Sequence, residues 1–441
     1  MVSRRAFLGT AAAAVATSGC AGTADALLGV GPVVRVAVSW SAAELKAFRS
    51  VLDALNLEYR VELVPLGDDI ASAFASHIAR GPDVVLLPQP GLVLQRHGEL
   101  VDLRGITDQQ WPYAEVWSRM LCLGDKCYGL PFKIAHKSTV WYRRSVFEQA
   151  GLTVPERWSD WLKLNNDILS NDRLVRQRIS PLALPAADGW MLTDFFENVL
   201  LGLAPKAYDR LALPGGNARL SEEGAVRSAL SLVGQMWAQA SLPGEVNRAL
   251  VQQFSDAVVE VFGHRRAAMV VAPDFAEPLV RSVTGDDPDF GIFRFPRIDA
   301  APPIADSIPE ESERRPPLLA GGDVIVLRTE FNEHARDLVR RLADPRAPLP
   351  WITDPGGFLA ANTNTPLDSY STALRGLAKD LVDERQSIRF DLSDQLRALG
   401  GRDGLWRVLQ DFLVQVAGRG AEADLSGAVN RAIRALHEFE E

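Results

Sequence analysis

Apolar residues enter this chain as short unbroken runs and then continue at helical spacing. Residues 33–38, Val33-Val34-Arg35-Val36-Ala37-Val38, predict a short strand that ends at Trp40 and Ser41. From 42 to 55 the apolar positions Leu45, Phe48, Val51, Leu52 and Leu55 fall on one helical face. Residues 59–66 predict a second strand and 69–79 a second helix, which Gly81-Pro82-Asp83 breaks. Val84-Val85-Leu86-Leu87 does not alternate with polar residues, the mark of a strand covered on both faces. This strand–helix–strand–helix–strand order implies an open α/β sheet. Ligands of such sheets collect at the carboxyl ends of the strands, where Trp40 and Gln89 lie. Downstream, 137–142, 267–272 and 322–327 predict further strands. Residues 143–260 and the stretch after 327 read mostly as helix, and the Pro- and Glu-rich 301–317 as a surface loop.

The first 19 residues have a different pattern. Arg4-Arg5 precede Phe7-Leu8, an Ala-rich apolar stretch follows, and small residues lead to Gly19-Cys20. A charged start, a short apolar middle and small residues at the cut form an export signal, and the paired arginines point to the twin-arginine route. Thr17-Ser18-Gly19-Cys20 resembles a bacterial lipobox, in which Cys20 becomes a lipidated N-terminus and 20–32 a tether. The other reading is an ordinary cleaved signal that contains a cysteine. Lipidation would hold the protein at the outer face of the cytoplasmic membrane without a spanning helix.

Composition narrows the partners. The 441 residues are 47% hydrophobic and 23% charged, ordinary for a globular protein, with a net charge of −9. Loss of Arg4 and Arg5 with the signal makes the mature chain more acidic still, so nucleic acid and anionic lipid headgroups are not expected as main partners. Cys122 and Cys127 flank Gly124-Asp125, which supplies a tight turn, so the segment reads as a hairpin. Facing cysteines on paired strands in an oxidising compartment predict a disulfide, the alternative being two free buried thiols. Without nearby histidines they make a poor metal site.

Several segments, in this order, resemble the bacterial extracellular solute-binding proteins of family 1, which serve ABC importers of sugars, and within them the α-glucoside type. They include Gly81-Pro82-Asp83 through Pro90, Tyr128 to Lys133, Lys137-Ser138 with Val140-Trp141-Tyr142, and Phe147 to Gly151. Further on come Gly189-Trp190 with Thr193-Asp194, Gly321-Gly322-Asp323, Gly356-Gly357-Phe358 with Asn362, and Arg389-Phe390-Asp391 with Ser393-Asp394. The resemblance implies a two-lobe, hinged α/β fold with lobes discontinuous in sequence: 33–136 plus 272–327 in the first, 137–271 plus 328–441 in the second. The chain would cross the hinge near 133–140, near 269–273 and after 324–327. The resemblance also implies a monomer that closes on a carbohydrate, needs no cofactor and docks with membrane permease subunits. Three positions depart from the family pattern: Asp68, where an arginine is common; Phe195, where a tryptophan is common; and His136, where a small or apolar residue is usual.

A sugar offers hydroxyls at its rim and apolar C–H faces, so its cleft needs aromatic walls with carboxylates, amides or lysine beside them. Trp40 is the first wall candidate, the alternative being a core tryptophan that caps the sheet. Glu44 and Asp69 begin helices that open toward the same edge, as ligand contacts or as helix-start charges. Gln89 is held between two prolines. Lys133 would meet the ligand or bridge the lobes. Of Trp141 and Tyr142 only one can face the cleft, and Tyr142 is the candidate. Trp190 and Asp194, one helical turn apart, form a stacking wall with an acceptor. Phe275, Asp323 and Phe358 follow strands or glycine turns; Gly321-Gly322 reads as a plain turn or as room for close backbone approach. His77, His97, His264, His334 and His437 fall in surface contexts.

The sequence contains no Gly-x-Ser-x-Gly, no His-Glu-x-x-His and no phosphate loop, and Asp286-Asp287-Pro288-Asp289 lacks the spaced ligands of a calcium loop. An enzyme is therefore not expected, although a pair of cleft carboxylates leaves a glycoside hydrolase open. A second class is a non-transport ligand-sensing lipoprotein, or a receptor for a non-sugar solute, on the same fold.

Overall fold

The computed structural model describes residues 32–40, 42–75, 81–105, 112–213, 217–240, 246–285, 289–299, 302–303, 316–329, 331–383 and 387–441. The signal, Cys20, the tether up to 31, His77, Asp286, Asp287, most of the 301–317 loop and the Asp68 side chain lie outside this description.

The chain begins with β1 (Val33–Val38), β2 (Arg60–Pro65) and β3 (Val84–Leu87). β1 lies between the other two, parallel to both. β3 is buried throughout, as its unbroken apolar run requires. The hairpin β4 (Cys122–Leu123) and β5 (Lys126–Cys127) turns at Gly124, which has φ +59°, and carries the Cys122–Cys127 disulfide, S–S 2.00 Å. β6 (Leu130–His136) follows, buried at every residue.

At Lys137-Ser138 the chain leaves this sheet. β7 (Thr139–Tyr142), β8 (Ser180–Ala183), β9 (Ala267–Val271) and β10 (Gly291–Arg294) form a second sheet in the order β10-β7-β9-β8. β8 is a strand inside the region that sequence periodicity reads as helical. The chain then returns to the first sheet as β11 (Leu319–Leu327), antiparallel between β6 and β3, and adds the short β12 (Leu359–Ala360) and β13 (Arg389–Phe390).

Most of the first sheet lies in one hydrophobic core, which also takes one face of the second sheet (Trp141, Ala183, Ala267 and Val270), while the other face of the second sheet lies in a second core. Strand pairing and core membership together correct the expected partition. Residues 335–390 were expected in the second lobe, but Leu338, Val339, Trp351, Phe358, Leu374, Leu381 and Phe390 pack in the first core. The cause is physical. The helix Glu333–Leu342 covers β1 and β11, and Trp351 packs edge-on against Trp40 with ring centroids 4.9 Å apart. Residues 291–298 were expected in the first lobe, but β10 pairs with β7, and Phe293, Phe295 and Ile298 join the second core. β9 and β10 lie in the same sheet, so the crossing between sheets expected near 269–273 does not occur there. The second crossing enters β11 near Leu318, and the chain does not leave the first sheet after Leu327. The third crossing follows β13, where Phe390 belongs to the first core and Leu392 to the second. Among the described residues no helix is long and apolar enough to span a membrane.

Candidate ligand-binding cleft

β6 carries one lysine at its centre and delivers a second just past its end. Lys133 is paired across the ladder with Asp323 of β11. Its Nζ donates to Glu44 Oε1 at 2.7 Å, Glu44 standing in the first turn of the helix Ala42–Ala54 that follows β1. The same ammonium lies 5.2 Å from the Phe275 ring centroid and 5.1 Å from that of Trp351. Burial would lower the Lys133 pKa, but Glu44, Asp323 and Asp274 outweigh it and hold it raised. Burial pushes Asp323 up to about 7 against the pull of Lys133; its carboxylate is hydrogen-bonded to Trp40 and Ser39. Asp274 accepts the His136 backbone N–H at 2.6 Å, and burial pushes it up to about 7 as well.

Lys137 gathers a second set. Its Nζ donates to Asp194 Oδ1 at 2.9 Å and to Asp391, and lies 5.7 Å from the Trp190 ring centroid. Burial would pull this ammonium down as well, yet Asp194 and Asp391 hold it well above its usual range. Asp194 is itself pushed up to about 8, first by burial and then by Asp391. Ser393 donates to Asp391 at 2.6 Å, and Glu197 accepts the Leu392 and Ser393 backbone N–H groups and the Tyr208 hydroxyl. This network fixes the last crossing of the chain to the helix Trp190–Leu203.

Two glycines make the packing around these lysines possible. Gly322 has φ +153°, and a Cβ there would lie 2.2 Å from the Lys133 carbonyl oxygen. A Cβ on Gly321 would meet Lys137 Cε at 2.7 Å. The pair sits within β11 and forms no turn; it is the room-for-close-approach reading that fits.

Trp190, Phe254 and Phe275 form a triangle of half-buried rings, with centroids 5.4 to 5.9 Å apart. Each lysine approaches one of these rings, so the triangle and both ion-paired sets make one contiguous surface. Glu44, Lys133, Trp190, Asp194, Phe275 and Asp323 are thus brought together from five stretches of chain. Trp40 is hydrogen-bonded to Asp323 but is buried and enclosed by Phe48, Phe132 and Trp351, as the core reading of it expects.

Other candidates lie apart from this surface. Tyr142 packs on Phe147 and Phe293 beside the second core, because β7 turns Trp141 the other way, onto Phe290. Phe358 is fully buried between Phe132 and Trp351. Asp69 is exposed, and Gln89 is half-buried at the start of the short helical turn Pro90–Leu92. Phe195 is a core residue ringed by Trp158, Trp161, Trp237 and Phe295, so its departure from the family pattern alters packing and not the cleft. His136 is fully buried, and burial together with Arg294 lowers it to about 3, which keeps it neutral. His97 contacts the Leu94 carbonyl, His334 stacks on Tyr59, and His437 pairs with Glu441 at the surface. Sequence reasoning did not give Lys137, Asp391, Asp274, Phe254 or Trp351 a site role. Their contacts span up to 254 residues of chain, and no local spacing announces them.

The family model of bacterial extracellular solute-binding proteins matches residues 44–329, more than half of the chain. The chain belongs to this family. Two relatives share 27% identity: the osmoprotective compounds-binding protein GgtB of Synechocystis, over 76% of both chains, and the alpha-glucosides-binding periplasmic protein AglE of Rhizobium meliloti, over 80% of this chain and 75% of the relative. Among solved family structures, the solute receptor AcbH superposes with a TM-score of 0.74 at 14% identity, covering 92% of this chain and 98% of AcbH. RafE in complex with raffinose gives 0.69 at 15%, covering 93% and all of RafE. These two show the two-lobe fold of the family.

Proposed function

We propose that the protein captures a carbohydrate, an α-glucoside or a related oligosaccharide, between its lobes and delivers it to the permease of an ABC importer. The observation that carries this reading is the triangle of half-buried rings flanked by carboxylates and lysines. The rings offer flat apolar faces to a sugar's C–H surfaces, and the polar groups on either side match its hydroxyls. AcbH, described with an exclusive preference for β-D-galactopyranose, and RafE, seen with raffinose, support a carbohydrate, and the alpha-glucosides-binding AglE supports the α-glucoside part of the reading. Hinge closure over the bound solute follows the usual logic of a ligand that favours one of two states. The reading includes no enzymatic step and no cofactor, a monomer, export by the twin-arginine signal, and a lipid at Cys20 that keeps the receptor at the outer membrane face.

A thermal-shift screen of the mature protein against mono-, di- and oligosaccharides, polyols and glycerophosphodiesters tests it. A ligand bound only to the folded state raises Tm with its saturation. A shift with an α-linked sugar, accompanied by compaction in small-angle scattering, is the expected result. No shift with any saccharide would overturn it in favour of a non-carbohydrate solute.

A further inference from the structure

Carboxyl groups outnumber lysines around the ring triangle. Lys133 is held by Glu44 and lies in the field of Asp323 and Asp274. Lys137 is held by Asp194 and Asp391 and lies in the field of Asp394. Each ammonium that approaches a ring is therefore already committed to carboxylates, and each set holds more acids than lysines. One oxygen of Asp194 and one of Asp274 are buried and receive no hydrogen bond among the described residues. Both residues are almost wholly buried, Asp194 one helical turn from Trp190 and Asp274 next to Phe275. On the first lobe, Glu44 reaches solvent with its side chain 41% exposed.

From this arrangement we infer that the cleft selects its solute by charge: it rejects carboxylated sugars and accepts amine-bearing ones at least as well as neutral ones. The inference rests on the carbohydrate reading of the same site. A carboxylate brought to the rings would have to displace Glu44 or Asp194 from its lysine and leave that acid buried without its cation, which is costly. An ammonium meets the opposite situation. Ring faces attract cations, and unsatisfied carboxylate oxygens beside them accept N–H donors. A neutral hydroxyl can donate to the same oxygens, so neutral sugars are admitted without special advantage. The protein's net charge of −9 also raises the local concentration of a cationic solute and lowers that of an anionic one, an effect that salt weakens.

The test is calorimetric titration of the intact mature protein with two matched sets: glucose, glucosamine and glucuronate, and trehalose with its 6-amino and 6-carboxy derivatives. Buffer at about pH 8.5 ionises Asp194, Asp274 and Asp323 and leaves the alkyl amine of the trehalose derivative largely charged, and two salt concentrations are compared. The expected result is that, in at least one set, the amine binds as tightly as the neutral parent or up to about ten-fold tighter, while the carboxylate binds at least about a hundred-fold more weakly, with the gap narrowing at high salt. Asp194→Asn should reduce the amine-to-neutral affinity ratio several-fold, a change that loss of folded protein would not produce. A carboxylate derivative that binds within about ten-fold of its neutral parent overturns the charge inference and leaves the sugar reading standing. Binding of an amine with no neutral sugar of the wider screen overturns the sugar reading and leaves the charge inference standing. Binding by neither set overturns the charge inference for sugars.

Discussion

Lys137 and Asp391 lie 254 positions apart in the chain and meet as a buried ion pair where the lobes join. Lys137 sits on the first crossing between the sheets and Asp391 on the last. Breaking a buried pair by removing one partner strands a charge and costs roughly 3–5 kcal/mol. Lys137→Met should therefore lower stability by about that amount in urea unfolding. Combining it with Asp194→Asn and Asp391→Asn should restore part of the loss, because it removes the stranded carboxylates. If the single mutant unfolds at the wild-type midpoint, the pair does not anchor the junction.

Gly322 gives a sharper steric test. Its Cβ would sit 2.2 Å from a backbone oxygen, and that backbone cannot retreat as a flexible side chain could. Gly322→Ala should cost ~2 kcal/mol or more. At Gly98 a Cβ would meet open space, so Gly98→Ala should stay within about 0.5 kcal/mol of wild type. Chemical denaturation of the two variants side by side decides this.

The buried acids set a pH dependence with a definite sign. Burial raises Asp274 and Asp323 to about 7 and Asp194 to about 8, above their unfolded values. The folded protein therefore binds more protons than the unfolded chain between those limits. These groups contribute stability that is full at acid pH and is lost as pH rises through 7 to 8. Asp391 works in the opposite sense, but its pKa is lowered to about 2, so its contribution is complete well below neutrality. Unfolding midpoints should fall from slightly acid to slightly alkaline pH, and Asp194→Asn should flatten the alkaline part of that slope. A flat wild-type profile would show that these carboxylates are not buried in solution as they are here.

Trp190 should dominate binding of the saccharide that gives the largest thermal shift. Trp190→Ala is expected to weaken affinity by ~1–3 kcal/mol through loss of stacking. Tyr142→Phe should leave affinity unchanged, since that ring packs on Phe147 and Phe293. Titration of both variants distinguishes a wall residue from a packing one.

The early strands and the cysteine hairpin were legible because their signals are local: unbroken Val and Leu runs, a Gly-Asp turn, a proline break. Glu44, Trp190 and Asp194 could be singled out because they stand near the starts of helices, and Lys133, at the centre of β6, because it falls beside the expected first crossing. The partition of 335–390 could not be read, because an amphipathic helix such as Glu333–Leu342 shows which face it buries but not which sheet receives it. Gly321 and Gly322 looked like a turn because their function is to admit groups from β6 and the crossing beyond it, nearly 190 residues earlier. Lys137 was visible only as part of a family pattern; its role depends on Asp391, which reaches it through the tertiary fold.

The position of β11 also sets an order of assembly. The second sheet has all four strands once residue 294 has been made. The first lacks the strand between β6 and β3 until residue 327, so β3, already paired with β1, must wait for its other neighbour more than 200 residues downstream. Closing contacts that far apart is slow, and the unpaired edge of β3 stays exposed to wrong partners meanwhile. A fragment that stops short of Leu319 would contain all four strands of the second sheet and a split first one, so the sheet that begins the chain is the sheet completed last.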